Sequence, residues 1–283
     1  MDPPSTPSKP KRTQCVRLQS RYFSTPKRKD TTSHPPSQLV LSPSTPRTTS
    51  CFFEPKLDID GLLSDPSFTA FYEQFVSSML DLFYAKPLLI QEYVLHSPWK
   101  VLVAVTLLNK TAGQKAIPVF FEVMEHWPTP AALAEAPLSL LFELLKDLGL
   151  GDMRSQRLVD ISQAFLSDPP QAGILRPSPG RTTALLLSDD SIVVKDVKYP
   201  PTPISHIPGC GPYALDSYRI FCTGGDEWRS VRPTDKELVK YLQWRWAVEA
   251  YRKWDQTSGP GDSIDLDYIR NLTASLTKHP IAH

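Results

Sequence analysis

The chain has 283 residues, a formal net charge of +1 at pH 7 and 22% charged residues, enough for one large core or two small ones. It contains no run of about eighteen apolar residues that would cross a membrane and no signal-peptide core near its start, so membrane-embedded and exported classes are not expected. Its four cysteines, Cys15, Cys51, Cys210 and Cys222, are too scattered for a disulfide framework and include no CxxC pair, which fits a reducing compartment and gives no reason to expect a metal or cofactor.

The first fifty residues hold nine Pro and seventeen Ser or Thr. With so few apolar side chains they cannot offset the entropy of ordering, and a disordered tail is expected over residues 1–56, ahead of one domain over 57–283. The same fifty residues carry nine Lys or Arg against two Asp, a balance of +7, which leaves −6 for the remainder. A polycationic arm of this kind is drawn to nucleic acid or to an acidic carrier. Lys9-Pro10-Lys11-Arg12 and Lys27-Arg28-Lys29 read either as nuclear import signals or as plain solvated charge. Thr25-Pro26, Ser42-Pro43 and Thr45-Pro46 have the form of proline-directed phosphosites, whose modification would lower the arm's charge.

Helical periodicity begins at Ser67, with Phe68, Phe71, Tyr72, Phe75, Met79 and Leu82 at three- and four-residue spacing. Pro98 opens a second helix running to Asn109, and a third is expected over 111–127. Further helices are expected over 137–148 and 152–166, each opening on Pro or Asp and carrying an apolar face. Between Ser167 and Val197 the composition turns to Pro, Gly, Ser and Asp, with apolar runs at Ala184 to Leu187 and Ile192 to Val194, and an inserted loop is expected over 168–197. The pattern then predicts helices over 212–222, over 234–254 with a break, and over 263–278. No convincing strand series is present, so the expected fold class is all-α.

The richest motif is Ile207-Pro208-Gly209-Cys210-Gly211-Pro212-Tyr213. Two glycines two apart, followed by Pro at a first helical position, let backbone N–H groups at a helix N-terminus approach an anion closely. Such a turn, with Gly209, Cys210 and Gly211 at its tip, suits a phosphodiester and would hold DNA by its backbone without reading sequence. The plainer alternative is a turn that ends one helix and starts another. Asp235 follows in Val231-Arg232-Pro233-Thr234-Asp235, one helix beyond the turn. It is either an ordinary helix cap or the carboxylate that faces a scissile bond between base and sugar.

Several blocks in order carry a family resemblance. They are Gln91-Glu92 through His96-Ser97-Pro98-Trp99-Lys100, then Leu108-Asn109-Lys110-Thr111-Ala112-Gly113, Ala116-Ile117-Pro118-Val119, Leu144-Leu145-Lys146-Asp147-Leu148-Gly149-Leu150, and Asp216-Ser217-Tyr218-Arg219-Ile220-Phe221-Cys222. Together they cover residues 88–246 and resemble the catalytic domain of the methyl-CpG-binding-domain-type G·T mismatch DNA glycosylases, of the endonuclease III or helix-hairpin-helix superfamily. The resemblance implies a helical bundle in two lobes with the active site between them. It also implies double-stranded DNA as substrate, from which thymine or uracil mispaired with guanine is flipped and excised.

By this resemblance Asp235 is the catalytic carboxylate, orienting water and opposing the positive charge that develops on the sugar. Tyr213 lines the flipped-base pocket where lyase relatives carry a lysine, which implies a monofunctional enzyme. Gln91 is a second pocket residue, its amide matched to a pyrimidine edge, unless it is a solvent-facing helix residue. Lys110 stands where the family places an arginine that enters the vacated space, and Leu150 matches an apolar plug, the alternative for Leu150 being a buried helix-end contact. Lys110 is a departure, since an ammonium lacks the planar stacking of a guanidinium. Glu237 is another, standing where the family usually has a lysine.

The four-cysteine series that holds an iron-sulfur cluster in endonuclease III is missing after Cys222. No folded methyl-CpG-binding domain is expected before Asp58. Gln19-Ser20-Arg21-Tyr22-Phe23 resembles, apart from Gln19, the short peptides that dock on MutL-type mismatch-repair proteins. The expectation is a nuclear, monomeric DNA glycosylase of base excision repair. The alternatives are an oxidised-pyrimidine glycosylase with lyase activity and a DNA-binding protein without catalysis.

Overall fold

The computed structural model describes residues 59–178, 181–188 and 191–278. The basic tail, its import and phosphorylation motifs and Gln19–Phe23 lie outside the described residues. The helices are α1 Ile59–Ser64, α2 Pro66–Tyr84, α3 Ile90–Tyr93, α4 Pro98–Leu108, α5 Gly113–His126, α6 Pro130–Ala134, α7 Leu138–Leu145 and α8 Gly151–Ser167. After them come strands β1 Arg181–Ser188 and β2 Ser191–Lys198, then α9 Pro212–Phe221, α10 Lys236–Ala250, β3 Arg252–Asp255, β4 Gly259–Ser263 and α11 Leu266–Thr277.

Proline and a polar cap start the helices repeatedly. Asp65, Ser97 and Thr129 accept from backbone N–H groups of the first turns of α2, α4 and α6, each with Pro at the first helical position. α4 is the centre of the domain. Trp99, Val101, Leu102, Val103, Ala104, Val105 and Leu107 are all buried, so this helix is apolar all round and packs against α5, α8 and α9. Trp99 donates its indole N–H to Ser162 Oγ on α8 at 3.0 Å, which satisfies its one polar atom at 1% exposure. Truncating it to Ala would cost about 3–5 kcal/mol.

A second apolar cluster joins Phe221, Trp228, Leu238, Tyr241, Trp246 and Trp254, and a third joins α2 to α10 and α11 through Leu82, Trp244, Ile269 and Leu272. Tyr213 packs against both the first and the second cluster.

The domain is predominantly helical, but the absence of strands expected from the sequence is corrected. The segment expected as an inserted loop over 168–197 contains an antiparallel pair, β1 with β2, in register from Arg181 opposite Lys198 to Ser188 opposite Ser191. Its two apolar runs, separated by four polar residues, were the hairpin signal. The helix expected over 234–254 ends at Ala250. Tyr251 adopts a left-handed φ of 54° as its C-cap, and Trp254 lies in β3, paired with β4 through an irregular register. Asp255 Oδ1 accepts from Thr257 N and Ser258 N and so closes the turn between the strands.

Candidate active site

Asp235 caps α10 from an extended backbone (φ −71°, ψ 130°). Its Oδ1 accepts from Glu237 N at 3.0 Å and Leu238 N at 3.1 Å. Both bonds fall on one oxygen, so the other is free for a ligand. Asp235 is therefore a helix cap that keeps one carboxylate oxygen outside the cap's hydrogen bonds.

A cavity of about 510 Å³ gathers Gln91 from α3, Tyr213 from α9 and Asp235 from the start of α10, with Ile90, Leu108 and Ile117 supplying apolar wall. Gln91 Nε2 donates to the Tyr213 hydroxyl at 2.8 Å, joining residues 122 positions apart. Gln91 is 2% exposed, which removes the solvent-facing alternative. Its Oε1 is buried with no partner, a state that costs about 1–3 kcal/mol until a donor arrives. Burial, and then the charge of Asp235, hold the Tyr213 phenol above its ordinary range, so it is a neutral hydroxyl that accepts from Gln91 and keeps its own proton to donate. Glu237 lines the same cavity and pairs with Lys240 at 3.3 Å and Lys236 at 3.8 Å, so its charge is locally balanced.

The neighbouring carboxylate on α9 is different. Asp216 is 5% exposed and accepts a 2.6 Å hydrogen bond from the Tyr199 hydroxyl. Burial pushes it up to about 6, against the opposing pull of that bond and of Arg219. Asp216 does not line the cavity that holds Asp235.

Gly209 has φ 79°, and a Cβ there would come within 2.7 Å of Arg157 Cδ. The left-handed backbone requires glycine, while the Arg157 side chain would have to shift to admit a Cβ. Gly211 N donates to Gly209 O at 2.9 Å, and Pro212 then opens α9, whose first-turn N–H groups have no intrahelical acceptors. The Cys210 side chain is buried, and burial pushes its thiol up to about 12, so it packs as an unreactive neutral thiol. Residues 199–208, ahead of the turn, form no helix, so the turn does not end one. Residues 202–208 make single turns, Ser205 N to Thr202 O and Ile207 N to Ile204 O, because Pro201, Pro203 and Pro208 remove donors from the segment.

Lys110 and Leu150 are both exposed and both left-handed, with φ 60° and 57°. Such a backbone costs a non-glycine residue about 1–2 kcal/mol. Leu150 is 60% exposed, so it is not the buried helix-end contact. Sequence reasoning passed over Arg157, which lies across Gly209, and Arg154, which is buried on the inner face of α8. For Arg154 the available signal was a cation in line with Leu158 and Ile161 on the apolar stripe.

Among the described residues no group of three or more His, Cys, Asp or Glu could hold a metal ion, and no helix is long and apolar enough to cross a membrane.

No protein-family model matches the chain. It is 28% identical over 153 residues to a methyl-CpG-binding domain protein 4-like protein of Arabidopsis thaliana, covering 54% of this chain and 27% of that one. It is 35% identical over 66 residues to a thymine-DNA glycosylase of Aeropyrum pernix and 33% identical over 69 residues to a thymine/uracil-DNA glycosylase of Pyrobaculum aerophilum. These two matches cover 23% and 24% of this chain and 30% of each relative. The chain thus spans less than a third of the length of the curated relatives it matches. The likeness to methyl-CpG-binding-domain-type glycosylases read from the sequence is borne out by these relatives.

Proposed function

We propose that this chain, similar as it is to those glycosylases, is a monofunctional DNA glycosylase that removes thymine or uracil mispaired with guanine. The observation that carries the reading is the meeting of Gln91, Tyr213 and Asp235, from three separate helices, on one cavity. In this reading the turn at Gly209, Cys210 and Gly211 serves as the hairpin of a helix-hairpin-helix element whose first helix is reduced to the single turns of residues 202–207, and the cavity lies between two lobes joined through Tyr213.

The turn and the N-terminus of α9 hold a backbone phosphate. Lys110 and Leu150 enter the duplex as the pyrimidine leaves the stack, a step that costs least for a mispaired base. In the cavity the unpartnered Gln91 Oε1 accepts from the pyrimidine N3–H, and the Tyr213 hydroxyl can donate to a ring carbonyl. The free oxygen of Asp235 faces the sugar. As the N-glycosidic bond breaks, its electron pair leaves with the base, which takes up a proton. Asp235 opposes the positive charge on the sugar and orients a water. The water oxygen bonds to C1′, its proton passes by way of the carboxylate to the departed base, and an abasic site remains in an intact strand.

A lyase would need an amine that attacks the sugar. Lys240 lines the cavity, but its ammonium lies within 3.4 Å of both Glu237 carboxylate oxygens, and by the family resemblance Tyr213 stands where lyase relatives carry a lysine. The import-like stretches of the tail fit a nuclear enzyme, and the single site needs no second subunit. Duplexes with one G·T or G·U pair test the reading. Strand breaks should follow only when alkali is added, with no adduct trapped by borohydride. Breaks without alkali, or a trapped adduct, would favour the lyase, and no base release would remove the reading.

A further inference from the structure

Arg154 is 6% exposed and has no carboxylate partner among the described residues. The hydrogen bonds of its guanidinium go instead to the last turn of α4, to the turn that follows it and to the residue before Leu150. Nε donates to Gly149 O at 2.9 Å. Nη1 donates to Thr106 O at 3.1 Å and Leu107 O at 2.5 Å, the end of α4. Nη2 donates to Asn109 O at 3.0 Å and Thr111 Oγ1 at 2.6 Å. Asn109 and Thr111 bracket Lys110, while Gly149 precedes Leu150, whose carbonyl also accepts from Arg154 N at 2.9 Å.

One buried cation therefore holds the neighbours of two exposed left-handed residues, Lys110 and Leu150. The arrangement has a clear physical basis. The last carbonyls of α4 lack intrahelical partners and carry the negative end of the helix, so a planar five-donor fork satisfies them while tying the α4–α5 turn to the start of α8. Strained residues persist only where their surroundings over-determine them, and here the same side chain determines both.

We infer that Arg154 is a positioning residue that fixes Lys110 and Leu150 relative to each other, so that they enter the DNA as one wedge. The inference rests on the proposed reading of those two residues, and its test separates the two claims. The probe is a duplex with one G·U pair and 2-aminopurine beside the uracil, whose fluorescence rises on unstacking and needs no bond cleavage. A second substrate places the uracil in an unpaired bubble, where little work of unstacking remains.

Arg154→Lys keeps the charge but not the fork. It should cut the unstacking signal and single-turnover excision on the duplex by about a hundredfold, with excision from the bubble within about threefold of wild type. In a Lys110→Ala/Leu150→Ala background the same change should cost less than about threefold on the duplex, because the wedge it acts through is gone. Equal losses on duplex and bubble, or full additivity in that background, would mean that Arg154 only supports the fold and would overturn the inference.

If Arg154→Lys does not fold, Thr111→Val removes one acceptor of the five and should show the same duplex-over-bubble bias at smaller size. Equal rates on the two substrates would count against the clasp. A wild-type chain that unstacks the duplex without releasing uracil would refute the glycosylase reading and leave the clasp to be judged by fluorescence.

Discussion

Replacing Asp235 by Asn separates the structural job of this residue from its proposed chemical one. Oδ1 accepts the two N–H groups of Glu237 and Leu238, and Asn caps a helix about as well as Asp. Loss of the charge beside the helix N-terminus should cost under about 1 kcal/mol of stability, a Tm shift of about 2–4 °C in a domain of this size. The chemical loss should be far larger. A unit charge about 4 Å from the developing sugar cation, at an effective dielectric of about 20, contributes about 4 kcal/mol, or roughly a thousandfold in rate. Single-turnover release of uracil from a G·U duplex measures that rate, with gel-shift affinity and thermal melting as controls. Asp235→Asn should bind DNA nearly as wild type does and release base about a thousandfold more slowly. Release within tenfold of wild type, or abolition by Asp216→Asn instead, would refute this placement of the carboxylate.

Other outcomes follow from the same geometry. Asp216 is pushed up from 3.8 to about 6 in the folded chain, so the folded state holds the extra proton between those values. Its contribution is present below 3.8 and lost as pH rises through about 6, a change of about 3 kcal/mol. Asp216→Asn keeps an acceptor for Tyr199 and should flatten the melting temperature between pH 4 and 6, whereas an unchanged slope would contradict the linkage. Gly209→Ala meets both a left-handed backbone and the Arg157 side chain, so DNA affinity in a gel shift should fall about tenfold or more with a shallower salt dependence; wild-type affinity would remove the phosphate role. Changing both Tyr22 and Phe23 to Ala should abolish pull-down of a MutL-type protein with excision untouched, and equal recovery would leave that segment without this role.

Much of the helical framework was legible because the chain marks its own helix starts. Pro98 and Pro212 occupy the first helical positions of α4 and α9, and the turn before α9 follows from Gly209 and Gly211. The end of α10 was not legible. Trp246, Ala250 and Trp254 keep a four-residue spacing that continues a helix on paper, and only the return strand from Gly259 pulls Trp254 into a sheet. The β1–β2 pair was missed because its apolar runs are shorter than the polar stretch around them.

At the site, Gln91, Tyr213 and Asp235 were visible through a resemblance in short motifs, but their hydrogen bonding was not. Nothing local in the sequence sets Gln91 against Tyr213, since the contact depends on how α3 packs beside α9. Arg154 was invisible for a related reason. A cation on an apolar stripe reads as a flaw until the carbonyls that surround it are in place.

The central claim is that a pyrimidine leaves the duplex and enters the cavity of Gln91, Tyr213 and Asp235. A crystal structure with a duplex carrying 2′-fluorinated deoxyuridine opposite guanine, which slows bond cleavage, tests it directly. The account predicts the uracil between Gln91 and Tyr213, with its N3–H on Gln91 Oε1 and C1′ facing the free oxygen of Asp235. A uracil still stacked in the duplex, or seated away from Asp235, would contradict it.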